Sequence, residues 1–271
     1  MSPVAGGRKA APSTPRPRKA ITCRWLHSSG RFDRPQKRLR RWLYSYRLRR
    51  CSVISGTEAK GRTNALFSTR NAEEWDYAHS KGAAGECWLT WKRNTWGQLG
   101  ATRAPVLSQA TYRRVASYGG GETPPFRALR VRLREKRTGR TVICYVVHMP
   151  LHNTKQRAEV WEAVAEGLVE LVNKDRKAYP EAEVVIVGDI NYSWRNSHFR
   201  KLMVRHIAKP TGTTASWDGG RTPRKGGTIG SHGSLIDVLF TSIRIRGCRL
   251  LRDDNSSDHR PFITTLRLKQ A

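Results

Sequence analysis

The sequence predicts an α/β fold, and three stretches carry that expectation. Residues 184–191 read VVIVGDIN and residues 142–150 read VICYVVHMP. Uninterrupted apolar runs rich in β-branched residues, without polar alternation, are strands buried on both faces. Val160, Val164, Leu168, Leu171 and Val172 recur at helical spacing within 155–172, marking an amphipathic helix that leads into the VVIVGDIN strand. Asp189 and Asn191 then sit where a buried strand emerges at an edge, as does His148. A carboxylate and an amide delivered there are placed for chemistry, although Gly188, Asp189 and Asn191 are equally the residues of a simple turn.

The other elements follow in chain order. Residues 1–20 mix Pro, Gly, Ser and basic residues without periodicity, so a disordered basic tail is expected. It serves solubility or adds sequence-independent affinity for nucleic acid. Residues 21–271 read as one domain, long enough for a sizeable core. A first strand is expected over 21–27. Leu39, Trp42, Leu43 and Tyr46 mark an arginine-loaded amphipathic helix, whose basic face is solvated or tracks phosphates. A short apolar strand over 52–55 leads to Glu58. Residues 85–92, GECWLTWK, form another strand with Glu86 ahead of its aromatics, Trp88 and Trp91 being core or sheet-face residues. A glycine turn at 119–121 is not followed by GK[ST], which excludes a P-loop. Residues 218–233, DGGRTPRKGGTIGSHG, are either mobile filler or a substrate clamp. The strand 235–240, LIDVLF, holds Asp237 within an apolar run, and SSDHRP at 256–261 precedes FITTLRL.

A formal net charge of +30 is the second strong feature. Such a field concentrates polyanions, and the arginine fork suits phosphate, so nucleic acid is the expected partner. Charge alone fits a ribosomal or packaging protein equally well. Cys23, Cys51, Cys87, Cys144 and Cys248 are dispersed and contain no CxxC pair, so neither a disulfide framework nor a zinc site is expected. With no signal-peptide core and no apolar run of about 18 residues, a soluble, cytoplasmic monomer without membrane association is expected.

Together the HMP, GDIN, IDVLF and SDHRP segments, in this order and spacing, resemble the endonuclease/exonuclease/phosphatase superfamily, whose fold is deoxyribonuclease-I-like. The resemblance is clear over 142–268 and implies a two-sheet α/β sandwich with outer helices and a site at one edge. It further implies metal-dependent phosphodiester hydrolysis, with Mg²⁺ (or Mn²⁺) as cofactor. Glu58 and Asp258 are the implied metal residues, Thr57 replacing the glutamine that usually precedes the glutamate. His27, in WLH, stands where relatives carry an asparagine in a TWN-like context, and a change of metal preference, an indirect contact or a different alignment each account for it. Asp189 and Asn191 match the pair that handles the attacking water and a phosphoryl oxygen. His259 matches the phosphate-facing histidine, with Asp237 fixing its tautomer. His148 matches a second phosphate-facing histidine of the deoxyribonuclease branch, with Glu86 as its partner. Trp217 stands where relatives place an aromatic near substrate, and is read as structural. His79, His198, His206 and His232 have no motif around them and are read as surface or loop residues. The expected activity is that of a DNA endonuclease. The alternatives are a phosphomonoesterase or a lipid or inositol-phosphate phosphodiesterase of the same superfamily, and a catalytically weak nucleic-acid-binding protein.

Overall fold

The apolar runs form the central strands of two mixed sheets in a computed structural model that describes residues 20–29, 50–58, 74–80, 87–107, 126–151, 155–229, 233–251 and 258–269. The first sheet has the order β11 (Arg244–Leu250), β12 (Phe262–Leu268), β1 (Ile21–Ser28), β2 (Val53–Gly56), β4 (Trp88–Lys92) and β3 (Trp75–His79). The second has the order β5 (Trp96–Pro105), β6 (Arg127–Glu135), β7 (Thr141–His148), β8 (Glu183–Asp189), β10 (Asp237–Thr241) and β9 (Thr214–Ala215). Helix α1 (Lys155–Ala178) connects β7 to β8, and a short helix α2 (Ser197–Met203) runs into a π-helical turn over Val204–Ala208. One apolar core takes Trp25, Leu89 and Phe262 from the first sheet and Leu133, Val146 and Val187 from the second, so the sheets form a sandwich.

Burial explains the sequence pattern. β7 and β8 pair in parallel in the middle of their sheet and are buried almost throughout, as continuous apolar runs require. β6, RALRVRLRE, instead alternates: Leu129, Val131 and Leu133 enter the core, while Arg130 reaches the other face. There Arg130 grips Asp175 of α1 through two hydrogen bonds of 2.5 Å, and the Tyr145 hydroxyl donates to the same carboxylate at 2.5 Å. This charge-assisted fork pins the polar last turns of α1 to the sheet. It also carries the helix to Ala178, beyond the reach of the apolar periodicity.

The remaining expectations meet the structure unevenly. β1 runs one residue past 27, β4 begins at Trp88, and β10 begins at Asp237, so that residue opens its strand. The helix expected around 39–46, residues 1–19 of the tail, Glu86 and His232 lie outside the described residues. Strand β5, with Gly97 and Gly100, has weak strand propensity; it pairs with β6 through a register shift between Gln98 and Gly100. The cysteines are free, and Cys23, Cys51, Cys87 and Cys144 are buried. Among the described residues no helix is long and apolar enough to cross a membrane.

Candidate active site

Strand register assembles the first half of the site. His148 at the end of β7 pairs in register with Asp189 at the end of β8, and Asp189 pairs with Asp237 at the start of β10. In-register neighbours on a pleated sheet point to the same face, so three chemistry-bearing side chains stand in a row across three strands. The close approach of β7 and β8 explains Gly188, since a Cβ there would lie 1.8 Å from the Val147 carbonyl oxygen.

The first sheet supplies the second half. His27 near the end of β1 lies in register between Ser55 of β2 and Phe262 of β12. Two residues beyond β2, the carboxylate of Glu58 comes within 3.7 Å of His148 Nε2, and that nitrogen lies 3.9 Å from Asp189 Oδ2. His259, three residues before β12, places Nδ1 2.8 Å from Asp237 Oδ2 and Nε2 4.0 Å from Asp189 Oδ2. The Asp237 carboxylate therefore accepts from His259 Nδ1–H, fixes the orientation of the ring and turns Nε2 toward the row.

Electrostatics separate these groups. Burial alone would raise Asp237, but the charge and hydrogen bond of His259, helped by His27, hold its carboxyl far below the usual carboxylate range. Burial would lower His259, but Asp237, then Asp189 and Asp258, push its imidazolium up to about 10. Asp189 moves the other way. Burial and the neighbouring Asp237 charge push it up to about 7, against the pull of His148 and His259.

Two members of the site are held in unusual backbone. Among the described residues Glu58 (φ 59°) and Asn191 (φ 58°) are the non-glycine residues with positive φ. Asparagine tolerates this region and glutamate far less readily, so strain is concentrated at the strand ends that form the site. Asn191 is locked by its backbone N–H donating to Asp189 Oδ1 at 2.8 Å and its side-chain Nδ2 donating to Met149 O at 2.6 Å.

The glycine-rich loop is held in place by hydrogen bonds in its described part, 218–229 and Gly233. Thr228 Oγ1 accepts from the backbone N–H groups of Ile236 and Asp237 at 3.1 and 3.2 Å, while Arg260 N donates to Thr228 O at 2.5 Å. Ile229 forms a β-bridge with His259. The loop is thus a bracket tying the start of β10 to the segment that carries His259. Gly227 is required there, because a Cβ would lie 2.1 Å from Gly233 O. Trp217 is fully buried beneath the site and donates Nε1–H to Asp237 O at 2.8 Å. Sequence reading missed Thr228, since a lone threonine among glycines carries no signal of its bridging role. It also placed His206 among surface or loop residues; the residue lies in the π-helical turn, its ring edge-on to Trp161 at 6.4 Å.

The donor chemistry fits a divalent cation. Glu58, His148 and Asp189 each present a ligand atom, all within 4.8 Å of one another, and Asp189, Asp237 and His259 form a second such group. Two of the three residues expected at the metal are members of neither group. Asp258 is exposed at the rim and joins neither. His27 is fully buried, with Nδ1 2.9 Å from Ser55 Oγ and Nε2 2.9 Å from Ser29 Oγ.

No protein-family model matches the sequence, and no curated protein matches it. Solved structures do match the fold. An endonuclease/exonuclease/phosphatase family protein from Bacteroides thetaiotaomicron superposes with a TM-score of 0.66 at 13% identity, covering 93% of this chain and all of its own. The human Nocturnin catalytic domain gives 0.67 at 11% identity, covering 92% and 95%. A mannosyl-6-phosphatase from Bacteroides thetaiotaomicron gives 0.63 at 13% identity, covering 90% and 99%. At such identities the likeness establishes the architecture, the two-sheet sandwich expected from the motifs.

Proposed function

We propose, from the premise that this chain has the endonuclease/exonuclease/phosphatase fold, that it is a metal-dependent phosphodiesterase acting on nucleic acid, with DNA cleaved internally as the expected reaction. The observation that carries the reading is the His259–Asp237 pair facing Asp189 at the meeting edge of two sheets. An imidazolium held charged by a buried carboxylate is suited to a phosphoryl oxygen, and a carboxyl raised to about 7 is suited to taking a proton from water near neutrality.

In this mechanism Asp189 orients the attacking water and receives its proton, while Asn191 and His148 face the phosphoryl oxygens. His259 Nε2–H bonds the phosphate and stabilises charge that builds as the bond to the leaving oxygen breaks. Asp237 accepts from the other ring N–H and holds the ring's orientation. Glu58, with Asp258 as the expected second carboxylate, would hold Mg²⁺ or Mn²⁺. That ion would neutralise charge on the phosphoryl and leaving oxygens. Glu86 is proposed as the partner of His148, and the basic tail as a separate segment preceding one domain.

The positive charge favours a polyanionic substrate, and its local distribution supports this. An open cavity of about 460 Å³ is lined by Trp194, Arg200, Lys201, Val204, Arg205, Lys209 and Asp218. The alternative is a phosphomonoesterase or lipid phosphodiesterase; the mannosyl-6-phosphatase of the same fold is the observation on the side of the former.

The test is parallel incubation, with Mg²⁺ and with excess chelator, of supercoiled plasmid, linear duplex, single-stranded RNA, a phosphoinositide and mannose 6-phosphate. Metal-dependent plasmid relaxation supports the proposal. Phosphate release from the lipid or sugar substrate alone overturns it.

A further inference from the structure

His27 is one of the residues of this chain that depart from the family pattern, and its surroundings select one tautomer of its ring. Ser55 Oγ accepts from Trp25 Nε1–H at 2.9 Å and has its own proton to place on His27 Nδ1 at 2.9 Å or Leu26 O at 3.5 Å. The shorter contact makes Nδ1 an acceptor, which leaves the ring proton on Nε2. Two acceptors face that N–H: Ser29 Oγ at 2.9 Å and Asp237 Oδ1 at 3.4 Å. The other neutral tautomer would set the Nε2 lone pair against a buried carboxylate. Asp237 Oδ1 is buried, and among the described residues it makes no regular hydrogen bond. Without the Nε2–H dipole that oxygen would bear most of the desolvation cost of the charge.

We propose that His27 is a positioning residue, whose Nε2–H holds Asp237 Oδ1 so that Oδ2 stays on His259, and that it is not a metal ligand. The chain of contacts runs from the first sheet into the second and back: Ser55 to His27 on β2 and β1, His27 to Asp237 on β10, Asp237 to His259 ahead of β12. Both ring nitrogens are hydrogen-bonded within a fully buried setting, and the ring belongs to neither group of candidate ligand atoms. The tilted contact with Phe262, with ring centroids 5.6 Å apart, fixes the plane of the imidazole. The kinetic part of this assignment rests on the phosphodiesterase reading; the hydrogen-bonding part does not.

Two arms test it. The first is NMR of the chain labelled with ¹⁵N in its imidazoles, without substrate or metal. His27 is expected to show a protonated Nε2 and an unprotonated Nδ1, and the His259 Nδ1–H signal is expected to shift or exchange faster in His27→Phe, which keeps the ring contact but has no N–H. A protonated Nδ1 with a bare Nε2 on His27, or an unchanged His259 signal, overturns the proposal. The second arm is kinetic. His27→Phe should lower kcat about tenfold to a hundredfold, leaving KM and the half-saturating Mg²⁺ concentration unchanged, and His27→Asn, which restores an N–H donor, should recover part of the loss. A tenfold rise in half-saturating Mg²⁺ with kcat restored at saturation would assign His27 to the metal and overturn the proposal. Should His27→Phe not fold, the wild-type tautomer and His27→Asn still decide. Should the wild-type chain hydrolyse none of the substrates, the phosphodiesterase reading falls and the NMR arm stands.

Discussion

Asp189 and Asp237 are register partners on adjacent antiparallel strands, both almost fully buried, yet their carboxyls are driven to opposite proton affinities. The difference lies in their partners. Asp237 is bonded by His259 and faced by His27, whereas Asp189 meets its histidines only at about 4 Å and also bears the charge of Asp237. One strand pair thus presents a fixed anion and a proton acceptor side by side.

His259→Ala is expected to reduce single-turnover cleavage by on the order of 10² to 10⁴, the range of a positioned catalytic group. DNA affinity should barely change, because many cations supply binding. Asp237→Asn should reproduce part of the loss, and the double substitution should cost far less than the product of the singles. Wild-type cleavage by folded His259→Ala protein would remove the active-site assignment.

The raised carboxyl of Asp189 has a signed effect on stability. A carboxyl with a raised folded value holds its proton while the unfolded chain releases it, so stability falls as pH rises from the ordinary carboxylate range through about 7. In metal-free protein, Asp189→Asn should therefore raise Tm more at pH 8 than at pH 5. An equal shift at the two pH values, read by calorimetry in chelator, would contradict the inferred environment.

Removing metal should abolish cleavage reversibly, and adding Mg²⁺ to metal-free protein should raise Tm as binding to the folded state dictates. Glu58→Gln is expected to shift the Mg²⁺ dependence of both readouts to higher concentration. An unshifted titration would place the ion elsewhere.

The cations beside Trp194 are expected to set part of the salt dependence. Lys201→Glu combined with Arg205→Glu should weaken duplex binding and flatten the log–log salt slope by about 0.9 for each phosphate that is no longer neutralised. Cleavage at saturating DNA should be unaffected. Fluorescence anisotropy across a salt series measures this, and an unchanged slope would exclude the cavity from the DNA track.

Thr228→Val keeps the shape of the side chain but leaves the N–H groups of Ile236 and Asp237 without their acceptor. A loss of about 2 kcal/mol is expected in denaturant unfolding, within the range for a buried donor left unmet. Because those donors fix the start of β10, kcat should fall as well.

How much of this was legible depended on whether a residue's neighbours lie close in sequence. The buried strands β7 and β8 announced themselves as apolar runs, and His148 and Asp189 were readable as their terminal polar groups. The pairing of Asp237 with His259 could be read only through the SDHRP and IDVLF resemblance, since strand register sets it. Three things were hidden for the same reason. The Arg130–Asp175 fork, the Thr228 bracket and the burial of His27 each depend on partners 45, 32 and 210 residues away. Strand β6 is a different case: its alternation was visible in RALRVRLRE, but the arginines at 130, 132 and 134 obscured it as a core strand.

The division of the site between two sheets has a consequence for how the chain comes into being. Asp189, Asp237 and His148 belong to one sheet, His27 and Glu58 to the other, and His259 takes its place only when β12 has paired with β1. Neither sheet alone carries a complete set, so a half-built or locally opened molecule has no competent centre. The site residues come together only on docking of the two sheets. On the proposed reading, cleavage would be withheld until folding is finished, and any opening of the sandwich would switch it off.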